Sequence, residues 1–210
     1  MNEADDSVVF VVDDDAPVRH ALSMLLASVG YRVETYPDAD SFLNAYRSNS
    51  PACLVLDVRM PGLSGLELQD RMIARGVLLP IIFVSGHADV AMAVRAMRRG
   101  AFDFLEKPFN DQALLDRINE ALRHARQLRE QGESKREIRA RCNALTQRER
   151  EVMERVVRGD MNKVIAADLG VSERTVEIHR GHVMEKMKAR SLAELVRMAM
   201  QLDYGKTEIE

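Results

Sequence analysis

Tryptophan is absent from the 210 residues, and there are only two cysteines, Cys53 and Cys142. They lie 89 positions apart and form no CxxC spacing, which argues against a structural zinc and against a disulfide framework. No apolar run approaches the roughly 20 residues that a membrane span requires; the stretch 77–84 is far too short. The start, Met1-Asn2-Glu3-Ala4-Asp5-Asp6, has neither the basic segment nor the apolar core of a secretion signal, so a cytoplasmic protein is expected. Repeats and low-complexity tracts are missing too. What remains, 46% hydrophobic and 30% charged residues, is the composition of a folded globular chain. The length suits one large domain or two small ones.

Charge is nearly balanced overall, at −3, but the balance conceals two unlike parts. Residues 1–124 carry 12 Lys+Arg against 18 Asp+Glu, whereas residues 125–210 carry 18 against 15. An acidic part joined to a mildly basic one hints at nucleic-acid contact near the C-terminus, although the excess also fits an ordinary solvated surface.

The first part alternates strand and helix patterns. Strands are expected at 8–12, 31–35, 53–56, 81–84 and 102–105, with helices at 18–29, 39–46, 66–74 and 90–99 and another starting near Asp111. Gly30, Gly76 and Gly100 each follow a periodic segment, where a residue tolerant of the left-handed conformation stops a helix. Near-continuous Val/Ile/Leu strands imply a sheet covered on both faces. Regular βα alternation then predicts a five-stranded, parallel, doubly wound α/β domain over 1–124.

Residues 125–141 are rich in Arg, Glu and Gln. They read as a helical linker in two pieces around Gly132, the second restarted by a capping box at Ser134-Lys135-Arg136-Glu137. No strand pattern follows. Capping boxes at Thr146-Gln147-Arg148-Glu149 and Ser191-Leu192-Ala193-Glu194, with Ser172 as a further cap, predict an all-α domain over 142–210.

The chemistry of the first domain sits at its strand ends. Asp57 closes the run Cys53-Leu54-Val55-Leu56, and Asp13-Asp14-Asp15 closes Val8-Val9-Phe10-Val11-Val12. Side chains at the carboxyl ends of parallel strands face the crevice where such sheets bind ligands. Asp13, Asp14 and Asp57 are expected to converge there, repelling one another until a hard divalent cation such as Mg²⁺ relieves them. A carboxylate so placed can also act as a nucleophile toward phosphorus, forming an aspartyl phosphate. Lys107 and Ser85, each following its own strand, could meet the phosphoryl oxygens. Taken singly these residues have ordinary explanations: Asp14 or Asp15 as the cap of a helix opened by Pro17, Lys107 as a surface lysine, Ser85 as a turn residue.

Together they carry a resemblance. Val-Val-Asp-Asp-Asp, Leu-Asp-Val-Arg-Met-Pro-Gly, Val-Ser-Gly-His and Glu-Lys-Pro-Phe stand in the order and spacing of two-component receiver domains, a flavodoxin-like family. The resemblance implies that Asp57 receives phosphate from a sensor histidine kinase. It implies Mg²⁺ on Asp13, Asp14, Asp57 and the backbone carbonyl of Arg59, with Ser85 and Lys107 on the phosphoryl oxygens. Phe104 occupies the position of the family's switch aromatic, where core packing is the plainer explanation. Two departures stand out. Threonine is frequent in the family where Ser85 stands, and tyrosine where Phe104 stands; phenylalanine cannot hydrogen-bond, so switching here would rest on burial of the ring.

In the second domain, residues 162–181 form two short helical patterns around Gly170, a helix-turn-helix arrangement. Ile165, Ala166 and Leu169 are expected to face inward on the first helix, and Val176 on the second. Lys163, Ser172, Arg174, Thr175, Glu177, Ile178, His179, Arg180, His182 and Lys186 are the candidate DNA contacts, with Ile178 available to a thymine methyl. Charged helical hairpins are common, so the shape alone is a weak signal. The wider pattern Leu-Thr-Gln-Arg-Glu-Arg-Glu-Val, Arg-Thr-Val-Glu-Ile-His-Arg and Leu-Val-Arg-Met-Ala resembles LuxR-type DNA-binding domains. Beside a receiver, it is most similar to the FixJ subgroup.

Three function classes compete for this pattern. A phosphorylation-switched transcription factor accounts for both domains. It would dimerise when phosphorylated, bind promoter DNA and contact RNA polymerase. A dehalogenase-like phosphatase also uses a strand-end Asp but needs a second acid two residues later, where Arg59 stands. A signalling adaptor would use the helical domain to bind protein, and a salt-dependent gel shift on promoter DNA separates it from the first class.

Overall fold

Three apolar runs are buried along their whole length, in β1 (Val8–Val12), β3 (Ala52–Asp57) and β4 (Ile81–Ser85), and they form the middle of a five-stranded parallel sheet. The more polar β2 (Arg32–Tyr36) and β5 (Asp103–Glu106) are its partly exposed edges. The computed structural model describes residues 7–47, 50–86 and 90–202, so the acidic start, His87 of the Val-Ser-Gly-His motif and the tail after Leu202 lie outside the described residues.

Strand order is β2-β1-β3-β4-β5. Successive side chains in a strand point to opposite faces, and two cores result. Phe10, Val12, Leu54, Leu56 and Phe83 pack with Phe42 of α2 (Ala39–Ala45), Leu68 and Met72 of α3 (Gly65–Ala74) and Ala96 of α4 (Val90–Arg98). Val9, Val11, Val55, Ile82 and Val84 pack on the other face with Leu22 and Leu26 of α1 (Ala16–Ser28) and Leu114 and Ile118 of α5 (Asp111–Asn143). The doubly wound α/β fold is thus as expected, with strand boundaries moved by a residue or so. One such move matters: Asp57 is the last residue of β3, paired in register with Val84, and so inherits the rigidity of the sheet.

Asp15 caps α1 by accepting from the Val18 N–H, with proline in the first turn. Ser64 and Glu67 form a full capping box at α3, which the sequence reading missed.

The two-piece linker is corrected. Residues 111–143 are a single helix, and Gly132 and Ser134 lie within it. An internal glycine costs only about 1 kcal/mol relative to alanine, and the Arg, Glu, Gln and Leu around it are good helix formers. The chain divides into compact units at Arg129/Glu130.

In the second unit, α6 (Gln147–Arg158), α7 (Asn162–Leu169), α8 (Glu173–Met187) and α9 (Leu192–Gln201) surround a core of Ile138, Leu145, Val152, Met153, Ile165, Val176, Val183, Met187 and Leu195. The capping box of α6 has both halves. At α9 only one half forms: Ser191 caps the Glu194 N–H, but the Glu194 carboxylate accepts from the Arg190 N–H instead. No described helix is long and apolar enough to cross a membrane.

Candidate functional site

The sheet order places a reversal of connectivity between β1 and β3, and the crevice at their carboxyl ends is where open α/β sheets take ligands. Val12 pairs with Leu56, so the next residues, Asp13 and Asp57, leave neighbouring strands side by side. Backbone bonds continue past the strand ends. The Val58 N–H donates to Val84 O at 3.2 Å and the Lys107 N–H to Ser85 O at 2.8 Å, fixing the loops that carry the site.

Lys107 Nζ lies between two buried carboxylates, 2.7 Å from Asp13 Oδ2 and 2.8 Å from Asp57 Oδ1. Asp57 Oδ2 accepts the Arg59 N–H at 2.7 Å, and Asp13 Oδ1 accepts the Asp15 N–H at 2.9 Å. Burial raises the Asp57 carboxyl above the usual range, and the charge of Asp13 adds to the rise, while the hydrogen bond from Lys107 opposes it. For Lys107, burial works against the ammonium, yet the hydrogen bonds it donates to Asp13 and Asp57, with the charges of both, prevail and hold its pKa above the ordinary value. Ser85 is buried at the end of β4, and Phe104, partly buried on β5, stacks on Phe83 with centroids 6.2 Å apart.

Asp14 does not join the other two. Its side chain is exposed, and among the described residues no group of three or more His, Cys, Asp or Glu is gathered for a metal. The expected three-carboxylate convergence is corrected to a carboxylate–lysine–carboxylate arrangement. Lys107 supplies the positive charge that relieves the repulsion between Asp13 and Asp57.

In the helical unit, α8 divides its side chains by face. Val176, Val183 and Met187 are buried, whereas Arg174, Glu177, Ile178, Gly181 and His182 are exposed, Ile178 at 51%. Spacings of three, four and seven place Arg174, Glu177, Ile178 and Gly181 along one stripe. Ser172 caps the helix by accepting the Thr175 N–H at 3.1 Å, and Lys163 is exposed on α7. Two cations among the candidates are engaged within the domain. Lys186 Nζ donates to both oxygens of buried Glu149, at 2.6 and 2.9 Å, and Arg180 donates to Asn162 Oδ1 at 2.5 Å. His182 Nδ1 lies 3.6 Å from Glu149 Oε1.

Residues 9–119 match the response regulator receiver domain, and residues 143–199 match the bacterial regulatory proteins of the luxR family. The chain belongs to the response regulators. Nodulation protein W of Bradyrhizobium diazoefficiens is 46% identical to this regulator over 97% of the present chain and 90% of that protein. Transcriptional regulatory protein FixJ of Azorhizobium caulinodans is 48% identical over 91% of each chain. Among solved structures, response regulator StyR matches with a TM-score of 0.84 at 45% identity, covering 93% of this chain and 99% of the other. Full-length FixJ from B. japonicum matches with a TM-score of 0.57 at 46% identity, covering 93% and 97%. The regulator is thus a two-component transcriptional regulator of the FixJ subgroup, with a receiver and a helix-turn-helix DNA-binding domain, rather than a classical enzyme. That pairing implies a sensor kinase and promoter DNA as partners.

Receiver domains bind Mg²⁺ at the acidic phosphorylation site, and the residues of this regulator fit such an ion. Its donors are all hard oxygens, and two buried carboxylates against one lysine leave a net negative charge.

One further site residue lies outside the motifs that the sequence displays. Gly65 begins α3 and donates its N–H to Val58 O at 3.0 Å. A Cβ there would lie 2.2 Å from the Asp57 carbonyl oxygen. The available signal was a glycine just after Ser64, at a helix start where glycine has no helical advantage.

Proposed function

We propose that Asp57 accepts the phosphoryl group of a sensor kinase's phosphohistidine and that the resulting acyl phosphate switches DNA binding. The Lys107 ammonium lying between Asp13 and Asp57 is the observation that carries this reading. It pre-organises positive charge where phosphoryl oxygens would arrive, and it opposes part of the rise that burial imposes on Asp57. In the transfer an Asp57 oxygen bonds to phosphorus, the P–N bond breaks, and its electron pair returns to the imidazole nitrogen. Water later cleaves the acyl phosphate, so the receiver takes part in its own dephosphorylation. Lys107 and the Ser85 hydroxyl bind the phosphoryl oxygens. Asp13, Asp14, Asp57 and the Arg59 carbonyl would hold Mg²⁺, which neutralises charge on the phosphoryl group. Asp14 is exposed at the loop, so its carboxylate would turn inward on metal binding.

The response passes to α4 and β5, with Phe104 following Ser85 and Lys107. The α4 face of Val90, Val94 and Met97, all exposed, then supports a homodimer. In the helical domain, Arg174, Glu177 and Ile178 read base edges, while Lys163, Ser172, Thr175, His179 and His182 serve the phosphate backbone. Arg180 and Lys186 act chiefly by fixing α8 in place, through Asn162 and Glu149. A carboxylate only accepts, and cytosine N4 is the major-groove donor without an adjacent acceptor on its own base, so Glu177 favours cytosine. Two domains at 1–124 and 142–210, promoter occupancy in the cytoplasm and contact with RNA polymerase complete the proposal.

Incubation with a small phosphodonor, followed by mapping of the acyl phosphate, tests it. Label is expected on Asp57 only and only with Mg²⁺. Undiminished labelling of Asp57→Asn, or labelling in excess chelator, refutes it.

A further inference from the structure

A polar contact joins α3 to α4 inside an otherwise apolar core. Gln69, on α3, is 1% exposed and donates from Nε2 to the carbonyls of Ala96 at 3.2 Å and Arg99 at 3.4 Å. The Ala96 carbonyl already accepts the N–H groups of Arg99 and Ala101, so it does not need the glutamine. Gln69 Oε1 is buried without a hydrogen-bond partner. A buried amide left half-satisfied is a cost that an apolar side chain of the same size avoids, so packing alone does not account for this residue. On the rim of the same contact Asp70 pairs with Arg95 at 3.7 Å and with Arg99.

The other end of α3 is keyed to the acceptor strand. Gly65 packs against the Asp57 carbonyl, and just over one helical turn separates it from Gln69. One helix therefore touches Asp57 with its first residue and grips the last turn of α4 with its middle. The opposite end of α4 begins at Val90, five residues after Ser85 ends β4.

We propose that Gln69 is a positioning residue that pins the C-terminal turn of α4, so that movement originating at Ser85 rotates α4 about that end. The proposal rests on Asp57 being the phosphoacceptor and α4 the responding element. Rotation about the pinned turn sweeps Val90, 81% exposed and farthest from it, through the largest arc and Met97, 44% exposed and beside it, through the smallest. The dimer face is thereby re-aimed as a unit instead of loosening.

Hydrogen exchange on the full chain with and without the phosphate mimic beryllofluoride reads this directly. In the wild type, the amides of Arg99, Gly100 and Ala101 should keep their protection within about twofold in both states, while amides of 91–95 change about tenfold. Gln69→Met keeps the volume and removes the donor. Its last-turn amides should exchange about tenfold faster, and the mimic-induced gain in dimer by sedimentation should fall about fivefold, with Asp57 labelling within about twofold of wild type. A purely structural role would instead speed exchange across the whole receiver and leave the response to the mimic intact, which overturns the proposal. Loss of last-turn protection in the wild type on adding the mimic also overturns it, and that measurement stands whether or not the variant folds. A wild type that takes no label on Asp57 removes the underlying reading and the pivot with it.

Discussion

The receiver pocket and the outer face of α8 use charge in opposite ways. In the pocket, Asp13, Asp57 and Lys107 are largely withdrawn from water and satisfy one another at 2.7 and 2.8 Å. On α8 the exposed stripe of Arg174, Glu177 and Ile178 has no comparable enclosure, and the best-held ion pair, Lys186 with buried Glu149, lies off it. Chemistry on phosphorus needs donors fixed before the reacting group arrives. Reading DNA needs side chains free to meet phosphates and base edges. A buried charge with two partners therefore speaks of catalysis or architecture, and an exposed one of recognition.

The sharpest challenge to this contrast lies at Gly65. Gly65→Ala places a methyl 2.2 Å from the Asp57 carbonyl, and α3 must withdraw. Destabilisation of about 3 kcal/mol or more is expected on urea unfolding, with loss of Asp57 labelling. Next, Lys107→Met leaves Asp13 and Asp57 facing each other unpaired, a loss of about 3 kcal/mol. The Asp57 carboxyl, already raised by burial, should rise further because the opposing bond is gone, as carbon-13 titration would register.

Lys186→Met asks whether the second domain obeys the same rule. With Glu149 left buried and unpaired, about 2 kcal/mol of that domain's stability should disappear, while the salt dependence of DNA binding stays unchanged. A slope shallower by about one would make Lys186 a phosphate contact after all.

The pH dependence follows from the same pair. The hydrogen bond from Lys186, aided by the Thr146 N–H, lowers the Glu149 carboxyl from 4.5 to about 2. A depressed carboxylate contributes stability that is fully present above its unfolded pKa and is lost as pH falls through the folded one. The thermal stability of the helical domain should therefore fall as pH drops from about 4.5 to 2, and Glu149→Gln should flatten that decline. The smallest effect is reserved for the exposed stripe: Ile178→Ala should leave stability intact and cost about 1 kcal/mol of discrimination at one thymine-bearing base pair, measured by competition binding.

Much of this was legible in the chain itself. Continuous Val/Ile/Leu runs ending in Asp13 and Asp57 define buried parallel strands with acidic tips, and Thr146 with Glu149 announces the start of α6, because periodicity and capping are local properties. Gly132 misled, since its cost is small against a long run of helix formers. Which acids converge was not local. Asp14 differs from Asp13 by one position, yet only the packed loop turns one inward to Lys107 and leaves the other in solvent. Lys186 and Arg180 read as free cations until α8 met Glu149 and Asn162, and nothing around Gln69 in the chain points to the last turn of α4. The sequence by itself determined the strands, the helices and the chemical groups at their ends. The tertiary structure decided which of those groups are buried together, because desolvation and charge pairing arise only when segments far apart in the chain are brought within a few ångströms.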